Sequence, residues 1–148
     1  MFETIAAEAA AESPLWAEQL RADPEPESVF GALSPQRFAL GLETIYEGYL
    51  VHYGRARLFA PAEPETALLL GDYLYAHGLV RIAATGDIDA VAALAELIST
   101  CAHLRAEEAP GDGEAWVAAV RTLGAEPAPE AVEAALASHA RRLVSSRP

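Results

Sequence analysis

The chain has 148 residues, 52% of them apolar, with ten basic and twenty-two acidic side chains and a formal charge of −12. That length fits one domain, residues 1–148, with a core of its own, and the apolar content is too high for a disordered chain. The charge argues against a nucleic-acid binder, which must neutralise phosphates, and against electrostatic docking on anionic lipid.

Alanine and leucine dominate and β-branched residues are sparse, a bias toward helix. Proline and glycine punctuate the chain clearly. From Phe2 to about Arg21 the sequence is helical in pattern and divided by Pro14. Asp23-Pro24-Glu25-Pro26-Glu27 follows as a stiff acidic connector, since neither proline suits a helix interior. Ser34-Pro35 reads as N-cap and first helical residue, opening a helix to about Phe59 with an apolar stripe at Phe38, Leu42, Ile45, Tyr49 and His52 or Tyr53. After a break at 61–64, a second long helix runs from about Pro64 to Thr85 and stops at Gly86. Asp87 caps a third, periodic at Ile88, Val91, Leu94, Ala95, Ile98 and Ala102 and continuing to Glu108. Pro110-Gly111-Asp112-Gly113 reads as a turn, and shorter helices from about Glu114 to Leu123 and from Pro129 to Ser145 close the chain. No segment alternates with period two, so the fold class is all-α: a single helical bundle of six or seven helices.

Gly41 and Gly48 lie seven apart in one long helix, and Gly71 and Gly78 seven apart in the next. A glycine inside a helix costs about 1 kcal/mol relative to alanine. Such pairs point to close backbone approach between packed helices, the alternative being glycines merely tolerated at ordinary positions.

Motifs for chemistry are sparse. Ser28, Ser34, Ser99, Ser138, Ser145 and Ser146 lie in no Gly-x-Ser-x-Gly turn, and Gly111-Asp112-Gly113 has neither the strand nor the lysine of a phosphate loop. Cys101, the single cysteine, sits in an apolar helical pattern and reads as a buried structural thiol. His103 and Glu107 form an i,i+4 pair whose simplest reading is a solvated helix face; with Glu108 and Asp112 they are the one set from which a free-standing ligand or metal binder could be built. Asp23, Glu25 and Glu27 have nothing obvious to focus them, and His139 with Arg141 and Arg142 reads as a solvated last turn. No catalytic residue, cofactor or metal is therefore expected. Tyr46, Tyr49 and Tyr53 share one face of a helix and Tyr73 and Tyr75 lie in the next, a stripe that fits either core or a protein interface. The N-terminus lacks a basic region and no apolar run approaches the ~20 residues that span a bilayer, so a cytoplasmic protein is the expectation.

The segment Ala67-Leu68-Leu69-Leu70-Gly71-Asp72-Tyr73-Leu74-Tyr75-Ala76-His77-Gly78-Leu79 resembles a stretch of the trans-prenyl diphosphate synthases, in which a Gly-Asp-Tyr/Phe-Leu-Leu-Ala helix follows the first aspartate-rich motif. The resemblance covers about Gly41 to Glu108. At the place of that motif the chain has Leu50-Val51-His52-Tyr53-Gly54-Arg55-Ala56: the leucine and histidine remain and the three aspartates are gone. The family's Arg-Arg-Gly element is absent, and catalytic members are about twice as long and carry a second aspartate motif. Ionising an allylic diphosphate needs clustered metal and cations, which such a chain cannot assemble alone. The resemblance thus implies a truncated isoprenoid-synthase-like bundle, not an enzyme on its own. It is similar to the small, non-catalytic (regulatory) subunits of heteromeric long-chain polyprenyl diphosphate synthases. Its partner would be the catalytic large subunit, and the chain alone would form a homodimer or be poorly soluble. By the same resemblance Tyr46, Tyr49, Gly71, Asp72, Tyr75, His77 and Gly78 are candidates to face that partner. The competing reading is a helical interaction or scaffold protein with an unrelated partner.

Overall fold

A computed structural model describes residues 1–144, and every regular element among them is helical. They are α1 (Phe2–Glu12), α2 (Pro14–Ala17), a 3₁₀ turn (Gly31–Leu33), α3 (Gln36–Tyr53), α4 (Pro64–Ala83), α5 (Ile88–Ala106), α6 (Asp112–Thr122) and α7 (Pro129–Val144). The expected end of the last helix at Ser145 lies outside the described residues. No helix among them is long and apolar enough to cross a membrane.

Most boundaries follow local chemistry. Pro14 divides the first segment because Ser13 ends α1 in an extended conformation and caps α2, accepting from the Leu15 N–H at 3.1 Å. Asp87 caps α5 through the Ala90 N–H at 2.9 Å. Gly86, at φ +84°, supplies the left-handed residue that lets the chain leave α4.

Four boundaries differ from the sequence expectation, the first being α2, which stops at Ala17 rather than near Arg21. Ser34 does not cap α3: its hydroxyl donates to the Gly31 carbonyl at 2.9 Å, closing the 3₁₀ turn, and Pro35 takes the N-cap position. Asp112 and Gly113 belong to α6, with Gly111 (φ +124°) making the turn alone. α3 stops at Tyr53 rather than near Phe59, because Gly54 leaves helical geometry and the chain turns back. Residues 19–25 and 57–60 then run antiparallel: Arg21 N–H donates to Leu58 O at 2.8 Å, Glu25 N–H to Arg57 O at 2.9 Å, and Ala60 N–H to Gln19 O at 2.8 Å. The helical propensity of Ala56-Arg57-Leu58-Phe59 yields to tertiary pairing.

α3 is the centre of the molecule. Every residue from 41 to 50 is buried, glutamates included, a condition only a helix covered on all sides meets. The main core joins it to the 3₁₀ segment, α5, α6 and α7 through Phe30, Leu42, Tyr46, Leu94, Trp116 and Val120; a smaller cluster joins Ile5 and Ala9 of α1 to Phe59, Leu70 and Leu74. α4 lies along α3 in the opposite direction, with the two glycine pairs facing each other. A Cβ on Gly48 would lie 2.9 Å from the Gly71 carbonyl oxygen, and one on Gly78 would lie 3.1 Å from that of Gly41. The seven-residue spacing therefore marks a contact inside the chain.

Gly48→Ala should lower the melting temperature, although alanine is the better helix former, because backbone rather than a flexible side chain must give way; about 1–3 kcal/mol is typical of such overpacking. A thermal melt set beside that of Glu133→Gln, an exposed change on α7, checks this.

Candidate functional site

The side chains with chemical potential concentrate on α3 and the segments it collects. Glu43 and Glu47, one turn apart, both point inward, and Arg57 of the returning segment enters between them with no exposed side-chain surface. Arg57 Nη1 donates to Glu43 Oε1 at 2.5 Å and to the Glu27 carbonyl at 2.8 Å; its Nε donates to Glu47 Oε1 at 3.0 Å. The remaining carboxylate capacity takes backbone donors. Glu43 Oε2 accepts from the Val29 and Gly31 N–H groups at 2.9 and 2.8 Å and from the Ser28 hydroxyl at 2.7 Å, and Glu47 Oε2 accepts from Leu58 N–H at 2.8 Å. Burial alone would lower the arginine pKa, but the two carboxylates more than offset it and hold the pKa above its ordinary value. Each strong donor and acceptor here is used in holding the chain together. This is a structural ion cluster with nothing left for a substrate.

A second polar layer joins α3 to α5, α6 and α7. Tyr49 donates a short hydrogen bond to Asp112, and Tyr46 shares one at 2.8 Å with His139 Nδ1. Arg105 Nε lies 2.9 Å from Asp112 Oδ2 without hydrogen-bond alignment. Burial pushes both tyrosine pKa values up, with the Asp112 hydrogen bond and charge adding at Tyr49. Burial, with Asp112 adding, also pushes the Cys101 thiol up to about 12, so the cysteine is inert as a nucleophile at neutral pH. His139 is lowered by burial, which outweighs the opposing charges of Asp112 and Glu114, and its Nε2 has no hydrogen-bond partner.

Two acidic and basic groups read as solvated are in fact paired with each other. Arg142, at 8% exposure, reaches Glu25 at 3.0 Å and Glu27 at 3.6 Å, and Arg21 reaches Glu25 at 3.0 Å while Arg55 also binds it. His139 is likewise buried, at 5% exposure. The helical period carried a signal for Glu43 and Glu47, two acids among apolar neighbours, but their shared partner lies in a segment expected to be helix.

The candidate interface residues separate into two groups. Tyr46 and Tyr49 are 0% exposed and are core, which corrects their assignment to a partner surface. Gly71 and Gly78 face α3, so a partner cannot touch them while α4 is in place. Asp72 is outward, hydrogen-bonded to His52 at 3.2 Å. Tyr75 is half-buried with its ring 5.1 Å from that of His52, and His77 is half-buried and bonded to Glu8 of α1 at 3.1 Å. His103, Glu107 and Glu108 are exposed while Asp112 is buried on Tyr49, so the four do not form one site. Among the described residues no group of three or more His, Cys, Asp or Glu side chains is placed to hold a metal. A shallow cleft is lined by His52, Tyr53, Ala102, Arg105, Ala106 and Glu108. Glu108 closes it at φ +51°, occupying the left-handed position after α5.

No protein-family model matches the chain, and no curated protein or solved structure matches it at a significant level.

Arg57→Met leaves two buried carboxylates without their cation and should destabilise by about 3–5 kcal/mol, whereas the triple change Glu43→Gln, Glu47→Gln, Arg57→Met should recover much of that loss. Urea unfolding midpoints of the two variants decide the point.

His139 and His52, both lowered mainly by burial, bind fewer protons folded than unfolded once pH drops below the ordinary histidine value of about 6.5. Their contribution is therefore complete above that pH and is lost as pH falls through the folded values. Unfolding followed from pH 7 to 5 should show a falling midpoint, with a smaller fall in His139→Asn, which keeps a polar partner for Tyr46.

Proposed function

We propose that the chain is a non-catalytic helical subunit that works by binding another protein, and that its partner is the catalytic large subunit of a polyprenyl diphosphate synthase. The supporting observation is the outer side of α4, the helix bearing Gly71-Asp72-Tyr73-Leu74. Its glycines face α3, while Leu68 and Leu69 (each 56% exposed) and Val80 (63%) are left in water. Exposed apolar side chains gathered on one helix are characteristic of interaction surfaces. Asp72 sits among them, on the same outward side.

The chemistry of the interior supports a binding role over catalysis. Glu43, Glu47 and Arg57 are saturated by one another, Cys101 is held as a thiol, and Asp112 is engaged by Tyr49 and Arg105. The burial of Tyr46, Tyr49, Gly71 and Gly78 favours one alternative, an interaction protein on the same fold whose partner is not a prenyl synthase. In that case the outer face of α4 still binds, but the resemblance at Gly71-Asp72 carries no partner information.

Two measurements test the proposal. The purified chain with Mg²⁺, an allylic diphosphate and isopentenyl diphosphate should give no prenyl product above background. Mixed with a catalytic prenyl synthase chain encoded in the same genome, it should elute as a heteromer. Turnover that tracks the purified chain would overturn the non-catalytic assignment. Failure to capture the synthase would leave the unrelated-partner reading.

A further inference from the structure

The exposed stripe of α4 continues onto α5. Leu69, Asp72, Ala76, Val80 and Ala83 recur at three- and four-residue steps on α4, and Ile88, Ala92, Ala95, Ser99 and Ala102 do the same on α5; all are exposed. The two helices are joined by a short turn and pack on each other. Ile88, at 82% exposure, is the most exposed large apolar side chain among the described residues, and it is the first residue of α5 after that turn.

The charges on these helices are one-sided. Glu65, Asp72, Asp89 and Glu96 are exposed. Of the arginines, Arg81, with 13% of its side chain exposed, is 3.1 Å from Glu8, and Arg105 is 2.9 Å from Asp112, while the exposed Arg37 stands at the turn itself, 3.4 Å from Asp87 and beside Ile88 and Asp89. Apart from Arg121 on α6, every arginine among the described residues has a carboxylate within 4.0 Å. The face is thus an apolar strip with carboxylates in excess at its edges, Arg37 answering Asp87 at the turn.

That pattern selects its occupant. A second copy would bring the same carboxylates against themselves, at −12 per chain, and an anionic bilayer would be repelled. We infer that the outer face of α4 and α5 docks a cationic amphipathic helix of a partner protein. The partner helix lays apolar residues at i, i+3, i+4 and i+7 along Leu69, Ala76, Val80 and Ile88 and places Lys or Arg against Glu65, Asp72, Asp89 and Glu96. The alanines of α5 let that helix approach closely, and the carboxylates set its orientation and speed its arrival. The inference rests on the reading of the chain as a protein-binding subunit and names the chemistry of the segment bound.

The test uses the full chain and two labelled synthetic peptides: a helix former with leucines at the stated spacing and lysines on its flanks, and the same peptide with each lysine replaced by glutamate. Fluorescence anisotropy should show binding of the lysine peptide only, weakened about tenfold between low and high salt. Val80→Arg should abolish it, while Ala134→Arg, an identical charge change on the exposed side of α7, should leave it within about twofold. Circular dichroism melts of both variants establish that each is folded. Equal weakening by the two variants would reduce the effect to bulk attraction and overturn the inference, as would equal binding of the glutamate peptide. Sedimentation as a dimer that Val80→Arg disperses would assign the face to a second copy instead. Capture of a prenyl synthase undisturbed by Val80→Arg would keep the subunit reading and discard this surface; peptide binding lost in Val80→Arg without capture of a synthase would do the reverse.

Discussion

Arg57 is held out of water between Glu43 and Glu47, and most of the fold is arranged to make that tolerable. A guanidinium and two carboxylates in a core are acceptable only if every donor and lone pair finds a partner. The partners come from two separate stretches: the carbonyl of Glu27 with the backbone N–H groups of Val29 and Gly31, and the N–H of Leu58. Satisfying the cluster therefore fixes the acidic connector, the 3₁₀ turn and the segment after α3 against one helix. Such a cluster adds little to net stability compared with apolar packing, but it penalises any arrangement that leaves one member unpaired. Phe2 covers it from α1, its ring 4.9 Å from the guanidinium carbon, so the N-terminal helix also belongs to the same arrangement.

Around this centre the other long helix packs by backbone and the last one by polar anchors. α4 comes close to α3 because glycines face carbonyl oxygens across the contact at Gly48 and Gly78. α7 is held differently, by the Tyr46–His139 hydrogen bond and by Arg142 on Glu25 and Glu27. Both modes use inward-facing groups and leave the outer sides of α4 and α5 unneeded by the fold. Leucine, valine and isoleucine side chains stay exposed there, which is why the proposed binding role is placed on them.

Electrostatics divides in the same way. The arginines, the chain's basic residues other than histidine, are largely consumed in internal pairs, so the excess of acid is displayed outward. A protein built so presents a field that favours cationic partners and discourages self-association. The same field bears on the candidate residues: Asp72 remains available in water, whereas Tyr46 and Tyr49 are sealed beneath α6 and α7.

The sequence by itself determined what depends on neighbours along the chain. Helical period, proline and glycine punctuation and the cap at Asp87 are local, and they placed the helices, the close approach implied by the paired glycines and the buried setting of Cys101. Only the tertiary structure decided which polar residues meet. Arg57 finds Glu43 across fourteen residues, Arg142 finds Glu25 across 117 and His139 finds Tyr46 across 93, and no spacing rule links such positions. For that reason α3 ends six residues early, two residues of an expected turn start a helix, and a last turn that reads as solvated is largely buried. The tyrosine stripe fitted core and interface equally well, because an aromatic face looks the same from the sequence whether another part of the chain covers it or a partner does. Here α6 and α7 cover Tyr46 and Tyr49, Tyr73 packs near Trp16 beside α1, Tyr53 and Tyr75 stay half-buried, and the face left open is the outer side of α4.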